Sequence, residues 1–232
     1  MEQNCRENCR ALRDISKTLT LTLGNMTFDF DLKCRVAKEA ATLLYFGAEK
    51  EYKQAKEKAA KTLGSHFLPS NLEVALELDK IAEENEGTKR MELLVQMRKE
   101  ALEIMNVLED YCPLLIGSVW RGTVRKGSDI DIAVYADETE EILGVLKAEG
   151  ITVLKTVRTA VNKRGLTLES FHIYSETSAR HGLEIVVRGR EEAGKKRKCE
   201  IFGDELKGLR FKELERVIDC NPTQRFIPSS SR

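Results

Sequence analysis

Two aspartates, Asp129 and Asp131, stand in the run DIDIAV (129–134), which is otherwise apolar and mostly β-branched. This composition predicts a β-strand, and side chains alternate along a strand, so both carboxylates point to the same face. Their Cα atoms lie about 6.6 Å apart, from a rise of about 3.3 Å per residue. Two carboxylates this close repel each other, and a divalent cation relieves the repulsion. Oxygen ligands suit Mg²⁺ or Mn²⁺, which also bind substrate phosphates.

A Gly-Ser pair, Gly117 and Ser118, follows the apolar run PLLI (113–116). The pair stands where a short strand ends and a helix is expected to begin. Backbone N–H groups and a hydroxyl at such a position attract anions, and glycine lets a phosphate approach the backbone closely. The pattern therefore predicts phosphates beside metal-binding carboxylates, which is the equipment of phosphoryl or nucleotidyl transfer.

Two other phosphate-binding motifs are excluded by their spacing. Gly122 and Gly127 have the glycine spacing of a Walker A loop, but Ser128 stands where that motif requires lysine. The sequence contains no G-x-G-x-x-G, so the dinucleotide-binding fingerprint is absent.

The combination Gly117-Ser118, ten residues, then Asp129-Ile-Asp131 resembles the signature of the DNA polymerase beta-like nucleotidyltransferase superfamily. The form GSVWRGTVRKGSDIDIAV is most similar to the minimal nucleotidyltransferases and to the catalytic core of archaeal CCA-adding enzymes. The resemblance covers residues 113 to 190. It implies an enzyme that transfers a nucleoside monophosphate from a nucleoside triphosphate, expected to be ATP, and releases pyrophosphate.

The resemblance also implies a third carboxylate on a neighbouring strand. Glu184 in GLEIVV is the first candidate, although the superfamily more often has aspartate there, and Glu169 in LTLESF competes with it. By resemblance, Asp129, Asp131 and Glu184 are catalytic and hold two Mg²⁺ (or Mn²⁺) ions. The residues expected to bind the nucleotide are Gly117, Ser118, Arg121, Lys126 and Ser128.

Composition bounds the remaining possibilities. Lys and Arg together number 38, equal to Asp and Glu, so overall charge gives no argument for nucleic-acid or membrane binding. No apolar run is long enough for a membrane span, and the polar N-terminus shows no signal peptide, so we expect a cytoplasmic protein. The six cysteines are then expected to be reduced. Cys5 and Cys9, four residues apart, make only a weak metal motif.

The chain is expected to be α+β, with an N-terminal helical bundle before a nucleotidyltransferase-type mixed β-sheet flanked by helices. The predicted parts are a helical domain (1–111), the transferase domain (112–220) and a loosely ordered tail (221–232). Apolar periodicity predicts a helical stripe over 36–59 with a break or kink at Gly47, and Gly64 ends it. A capping box is expected at Ser70 and Glu73.

The second half is expected to be rich in strands. Strands are predicted at 113–117, 129–136, 151–161, 166–174 and 182–189, and KCEIF (198–202) is a candidate sixth. Asp137 and Glu140 are expected to cap a helix that ends near Gly150. A final helix is predicted over Glu205 to Ile218.

Three functions remain open from the sequence. The first is transfer to a macromolecule, either the 3′ end of an RNA or a protein hydroxyl. The second is transfer to a small molecule, and the third is a nucleotide-binding regulatory protein with little catalysis. The nucleotide, the acceptor, the oligomeric state and the role of the helical domain are not readable from the residues.

Overall fold

A computed structural model describes residues 31–163 and 166–228. Cys5 and Cys9, with the metal motif considered for them, lie outside these residues. The chain divides into two compact units, residues 1–81 and residues 82–232, and the division falls within a helix. The sequence placed the boundary later, after residue 111.

The described part of the first unit is helical. Its helices are α1 (31–45), α2 (Tyr52–Leu63) and the beginning of α3 (Asn71–Glu86). The expected break at Gly47 is present, and Gly64 ends α2 in the left-handed conformation. The capping box before α3 is also present, because Ser70 N–H donates to Glu73 Oε2 and Glu73 N–H donates to Ser70 Oγ. Alanines, Val36, Leu44 and Val74 are among the residues that fill this unit's core.

The second unit is an α+β structure. Its helices are α4 (Thr88–Val107), α5 (Gly117–Arg121), α6 (Thr139–Ala148) and α7 (Phe211–Cys220). Its strands are β1 (Leu114–Ile116), β2 (Ile130–Tyr135), β3 (Val153–Lys163), β4 (Leu166–Glu176), β5 (Gly182–Arg188) and β6 (Leu209–Arg210).

The strands of the described residues form one mixed sheet in the order β3-β4-β5-β2-β1-β6. Strands β2 and β5 are parallel, and the other neighbouring pairs are antiparallel. Helix α6 and the β3–β4 hairpin connect β2 to β5, which lets the two strands run side by side in the same direction.

One face of the sheet is buried by helices. Ile130, Ile132 and Val134 on β2 are fully buried together with Ile185 on β5. Leu94, Met97 and Met105 of α4 belong to the same core, as do residues of α6 and α7. The alternation predicted for β2 is therefore confirmed, and it leaves the residues between these isoleucines to the opposite face.

Several local predictions are corrected by the structure. KCEIF forms turns with a single bridge from Lys198 to Glu205, and the sixth strand is β6. Four glycines and several lysines around this segment disfavour a continuous strand. The final helix begins at Phe211 rather than Glu205. Glu138 and Glu141, not Asp137 and Glu140, form the capping box of α6.

The segment 221–228 is held in place, contrary to the prediction of a loose tail. The carbonyl groups of Pro222 and Gln224 accept hydrogen bonds from the Arg98 guanidinium, and Phe226 exchanges hydrogen bonds with Arg121. Residues 229–232 lie outside the described part of the chain.

Cys34, Cys112, Cys199 and Cys220 are free thiols, as expected for these four. Among the described residues, no helix combines the length and the hydropathy that a bilayer span requires.

Candidate active site

The carboxylate of Asp131 lies against the backbone of Gly117. Ile116, the last residue of β1, is opposite Asp131 in the antiparallel pairing of β1 and β2, so the chain turns into α5 beside this side chain. Gly117 has a φ of +68°, and a Cβ built there would overlap Asp131 Oδ2 and Cγ. Glycine is thus required at this position for its backbone conformation and for the space it leaves.

The carboxylate of Asp129 is accommodated in the same way by a different glycine. A Cβ at Gly182, the first residue of β5, would overlap Asp129 Oδ1 and Cγ. Asp129 precedes β2 and is exposed. The two aspartates of the DID motif therefore each lie against a glycine, Gly117 at the start of α5 for Asp131 and Gly182 at the start of β5 for Asp129.

Glu184 is directly opposite Asp131 in the parallel pairing of β2 and β5. Residues that pair in this way lie about 4.8 Å apart and point to the same face of the sheet. Glu169 lies on β4, where the alternation places it on the opposite face, and its carboxylate is 2.6 Å from Arg158 NH2. The structure therefore brings Glu184 to the two aspartates and leaves Glu169 away from them.

Two residues of β4 hold the Glu184 carboxylate. His172 Nδ1 is 2.5 Å from Glu184 Oε1, and His172 Nε2 is 3.1 Å from Ser170 Oγ. Tyr174, opposite Glu184 in the pairing of β4 and β5, also hydrogen-bonds to it. All these residues lie on the same face as Asp131, so β4 supplies a second row of polar groups behind the carboxylates.

Burial and neighbouring carboxylates disfavour the charged forms of Asp129 and Asp131. Burial, followed by repulsion from Glu184 and Asp129, raises the pKa of Asp131 to about 8. Burial and then Glu184 raise the pKa of Asp129, while Arg125 opposes this shift. Burial and the Glu184 carboxylate also raise the pKa of the Tyr174 hydroxyl. A cation at this face relieves all these interactions together.

The loop between the two motifs is a well-connected turn. Ser128 Oγ accepts a hydrogen bond from Arg125 N–H, and Ser128 N–H donates to the Arg125 carbonyl. The N–H of Lys126 donates to both carboxylate oxygens of Glu86 at 3.0 Å, while the Lys126 side chain is exposed. The Ser128 hydroxyl is thus engaged in shaping the turn that leads into Asp129.

Arg121, one of the predicted nucleotide-binding residues, is buried away from the carboxylates. Its guanidinium donates to both oxygens of Asp204, at 2.8 and 2.6 Å, and to the Phe226 carbonyl. It also stacks over the Trp120 and Phe202 rings, 4.0 and 4.6 Å from their centres. With its charge paired and its faces covered, Arg121 joins α5 to the segment before β6 and does not face a ligand.

A family model described as "Nucleotidyltransferase domain" matches residues 98–207. These residues include the Gly-Ser pair, all three carboxylates and the strands that position them. This part of the chain is therefore similar to nucleotidyltransferase domains.

Several solved structures are similar to part of this chain. A cytoplasmic RNA terminal U-transferase is 18% identical over 52% of this chain and 35% of its own, with a TM-score of 0.27. The GLD-2/RNP-8 complex is 13% identical over 53% and 44%, with a TM-score of 0.29. JHP933 from Helicobacter pylori is 16% identical over 51% and 51%, with a TM-score of 0.26. The chain spans about half or less of each. None of the curated proteins compared with this chain matches it.

The three carboxylates offer oxygen ligands that fit a hard divalent cation, Mg²⁺ or Mn²⁺. The mutual repulsion of Asp129, Asp131 and Glu184 supports this fit, since no cation is paired with Asp131 among the ion pairs of the described residues. No three Asp, Glu, His or Cys side chains of the described residues are already grouped as a metal site.

Sequence reasoning missed three residues that shape the site of the domain. His172, Gly182 and Arg98 were not among the predicted site residues. The spacing of His172 could have indicated its role. His172 is two residues from Tyr174, so the two side chains share one face of β4, the strand next to that of Glu184. Arg98 gave no signal, because an arginine within a helix is ordinarily a solvated residue.

Arg98 of α4 is fully buried and fixes α5 from behind. Its guanidinium donates to the carbonyl groups of Val119 and Trp120 at 3.2 and 3.0 Å, and to those of Pro222 and Gln224 at 2.7 and 2.8 Å. Burial lowers its pKa to about 10. Arg90 supports the same loop further on, through Val124 O at 2.5 Å. The domain thus holds the Gly-Ser turn rigidly from the side remote from the carboxylates.

Proposed function

We propose that the protein is a Mg²⁺-dependent nucleotidyltransferase that transfers a nucleoside monophosphate from a nucleoside triphosphate, such as ATP, to a hydroxyl of a macromolecule. The acceptor is the 3′ end of an RNA or a protein side chain. The observation that carries the proposal is the placement of Asp131 opposite Glu184. Asp129 lies two residues before Asp131, and the Gly117 backbone lies against the Asp131 carboxylate.

In the reaction, an acceptor hydroxyl oxygen attacks the α-phosphorus of the triphosphate. A new P–O bond forms, the bond from the α-phosphorus to the bridging oxygen breaks, and pyrophosphate leaves with the electron pair. The hydroxyl proton passes to solvent. Bound divalent cations would stabilise the attacking and leaving oxygens.

The residues of this chain supply position and charge. Asp129 and Asp131 would hold the cations, and Glu184, oriented by its hydrogen bond from His172, would join them on the acceptor side. Ser118 and the backbone N–H groups of the Gly117-Ser118 turn would face the triphosphate, while the missing side chain of Gly117 leaves room for the Asp131 carboxylate beside them. Lys126, exposed on the turn before Asp129, is placed to neutralise phosphate charge, whereas Arg121 is not.

The proposal is tested by incubating the protein with Mg²⁺ and each α-labelled nucleoside triphosphate, together with total RNA or a cell lysate. Labelling of an RNA or protein band is expected with the wild type and absent with Asp131→Asn. Glu169→Gln is the matched control, because it removes a carboxylate from the other face of the same sheet and should leave labelling unchanged.

The products also separate the competing functions. A label found only in a small molecule would replace the macromolecular acceptor with a small one. Binding of the triphosphate without any labelled product, under all four nucleotides, would overturn the transferase proposal in favour of nucleotide-dependent regulation.

A further inference from the structure

A second polar cluster lies on the same face of the sheet as the carboxylates, at the other end of β2 and β5. Tyr135 and Arg188 are opposite each other in the parallel pairing, four residues beyond Asp131 and Glu184 respectively. Four residues along a strand correspond to about 13 Å. The cluster is therefore separate from the carboxylates, although an extended ligand on this face reaches both.

Arg188 has an incomplete set of hydrogen-bond partners. Burial lowers the pKa of its guanidinium, although the Tyr135 side chain, paired with Arg188 across the strands, favours the charged form. Its Nε is buried without a partner, and none of the ion pairs of the described residues involves Arg188. A buried donor without an acceptor is unfavourable, and native structures ordinarily satisfy such groups.

A second guanidinium stands beside the first. Arg197 is close enough to repel Arg188, and burial followed by this repulsion lowers the pKa of Arg197. Arg197 forms an ion pair with Glu192, whose side chain is 3% exposed. Glu192 balances one of the two positive charges, so the cluster of Tyr135, Arg188, Arg197 and Glu192 carries a surplus of one.

We propose that Arg188, Arg197 and Tyr135 form an oxyanion-binding site for a phosphate group. Guanidinium groups present planar, paired donors that match phosphate oxygens, and a phosphate also accepts from a tyrosine hydroxyl. A bound phosphate gives Arg188 Nε its missing acceptor and removes the repulsion between the two arginines. Lys195, Lys196 and Lys198 flank Arg197 in the sequence and are exposed, which raises the local concentration of anions.

Arg190 shows that the cluster is not simply a basic stretch. It follows Arg188 by two residues, yet its guanidinium is paired with Asp137 at 3.2 Å and with Glu141 at 3.4 Å, and its side chain is 55% exposed. Arg188, by contrast, lacks such a carboxylate and is more enclosed. The two arginines therefore form a matched pair for testing, with the same chemistry and different surroundings.

The test uses the Nε–H signals of the arginines in ¹⁵N-labelled protein. Inorganic phosphate is titrated in EDTA, without nucleotide, at an ionic strength kept constant with chloride. The Arg188 signal, assigned by its loss in Arg188→Gln, is expected to shift with a saturable dependence on phosphate. The Arg190 signal, assigned in Arg190→Gln, is expected to stay in place.

Thermal unfolding gives a second measurement on the same proteins. Phosphate should raise the melting temperature of the wild type and of Arg190→Gln above the chloride value. In Arg188→Gln the apparent affinity should fall by about tenfold or more, the loss expected when one charge-assisted pair is removed. A titration with a short oligonucleotide in place of phosphate distinguishes the source of the phosphate group. Saturable binding of both ligands would show that the site accepts a phosphodiester. Saturable binding of inorganic phosphate alone would show that it accepts only a free or terminal phosphate.

An Arg188 signal that does not move, or moves equally in chloride, would overturn the oxyanion site. Because the measurement excludes divalent cations and triphosphate, this result would leave the transferase proposal standing. A failed labelling experiment would likewise leave the oxyanion site standing.

Discussion

Asp131 and Glu184 face each other across the single parallel pair of strands described in the sheet. Parallel neighbours are in register at every residue, so the two carboxylates are brought together by backbone hydrogen bonding rather than by their own interaction. Their charges oppose this arrangement, as the raised pKa of Asp131 shows. The fold thus holds together two carboxyl groups whose charged forms repel each other.

Gly117→Ala should destabilise the protein and abolish transfer, since the new Cβ overlaps the Asp131 carboxylate. A double-mutant cycle measures the overlap. It compares the free energies of unfolding of the wild type, Gly117→Ala, Asp131→Ala and the double variant by chemical denaturation. In the Asp131→Ala background the cost of Gly117→Ala should shrink to about 1–2 kcal/mol, the cost of a left-handed alanine. Gly127→Ala is the control, because Gly127 has a φ of +78° with nothing within 4 Å of its Cβ position. Equal costs at both glycines would contradict the close approach.

Asp131→Asn should stabilise the metal-free protein, increasingly so as the pH rises. The folded-state pKa of about 8 exceeds the ordinary 3.8, so the stability that this carboxyl contributes is complete below the ordinary value and is lost as the pH rises to about 8. Thermal melts in EDTA across this range should show a widening gap in favour of the variant. With Mg²⁺ and ATP the order should reverse, since the wild type binds them more tightly. Asp219→Asn, on the exposed face of α7, controls for the loss of one surface charge.

His172→Ala should weaken Mn²⁺ binding or turnover by about tenfold or more, the effect typical of a residue that orients a metal ligand. His172→Asn keeps a donor near the position of Nδ1 and should recover much of the loss. Calorimetric titration of Mn²⁺ and steady-state kinetics measure the two quantities, with the KM for nucleotide changing less than kcat. His181→Ala is the matched control, because His181 bonds to Glu100 and not to a carboxylate of the site. Equal losses at both histidines would remove His172 from its positioning role.

Ser118→Ala should weaken nucleoside triphosphate binding and leave the melting temperature unchanged. Ser118 is half-buried at the start of α5, where its hydroxyl is proposed to face phosphate. Fluorescence titration with a labelled triphosphate and Mg²⁺ measures the affinity. Ser178→Ala, in the exposed turn between β4 and β5, is the control. An affinity equal to that of the wild type would exclude the hydroxyl from the binding site.

Arg98→Met should lower the free energy of unfolding by about 3 kcal/mol or more, because four backbone carbonyl groups lose a charged donor inside the protein. Lys99→Met makes a similar change on the exposed side of α4 and should cost less than about 0.5 kcal/mol. Urea denaturation compares the two variants. A small loss at Arg98 would show that water replaces the guanidinium at these carbonyl groups.

The strands that carry the site were predictable because each has a strong local pattern. Ile130, Ile132 and Val134 alternate with the polar residues of β2, and LTLESF and GLEIVV read as strands for the same reason. The candidate third carboxylate followed from the resemblance, and the pairing of β5 beside β2 was needed to separate Glu184 from Glu169. That pairing is a long-range relationship, so no local pattern contains it.

The buried polar residues were not predictable from the sequence. Arginine side chains are ordinarily solvated. The burial of Arg98 and Arg121 is explained only by the backbone carbonyl groups and the carboxylate that their guanidinium groups contact in the folded protein. The domain boundary predicted after residue 111 has a related cause. The amphipathic pattern of α4 does not indicate which element its apolar face packs against. In the structure that face belongs to the core of the sheet.

The parallel pairing of β2 with β5 also has a consequence for how the chain matures during synthesis. β2 emerges from the ribosome well before β5, and α6 and the whole β3–β4 hairpin must be made in between. Throughout that interval Asp129 and Asp131 exist without Glu184 and without the glycine that seats Asp129. Loop closure over such a long connection is slow compared with hairpin formation. The proposed metal site would therefore be completed late in synthesis, and a nascent or truncated chain would present the DID motif without the third carboxylate.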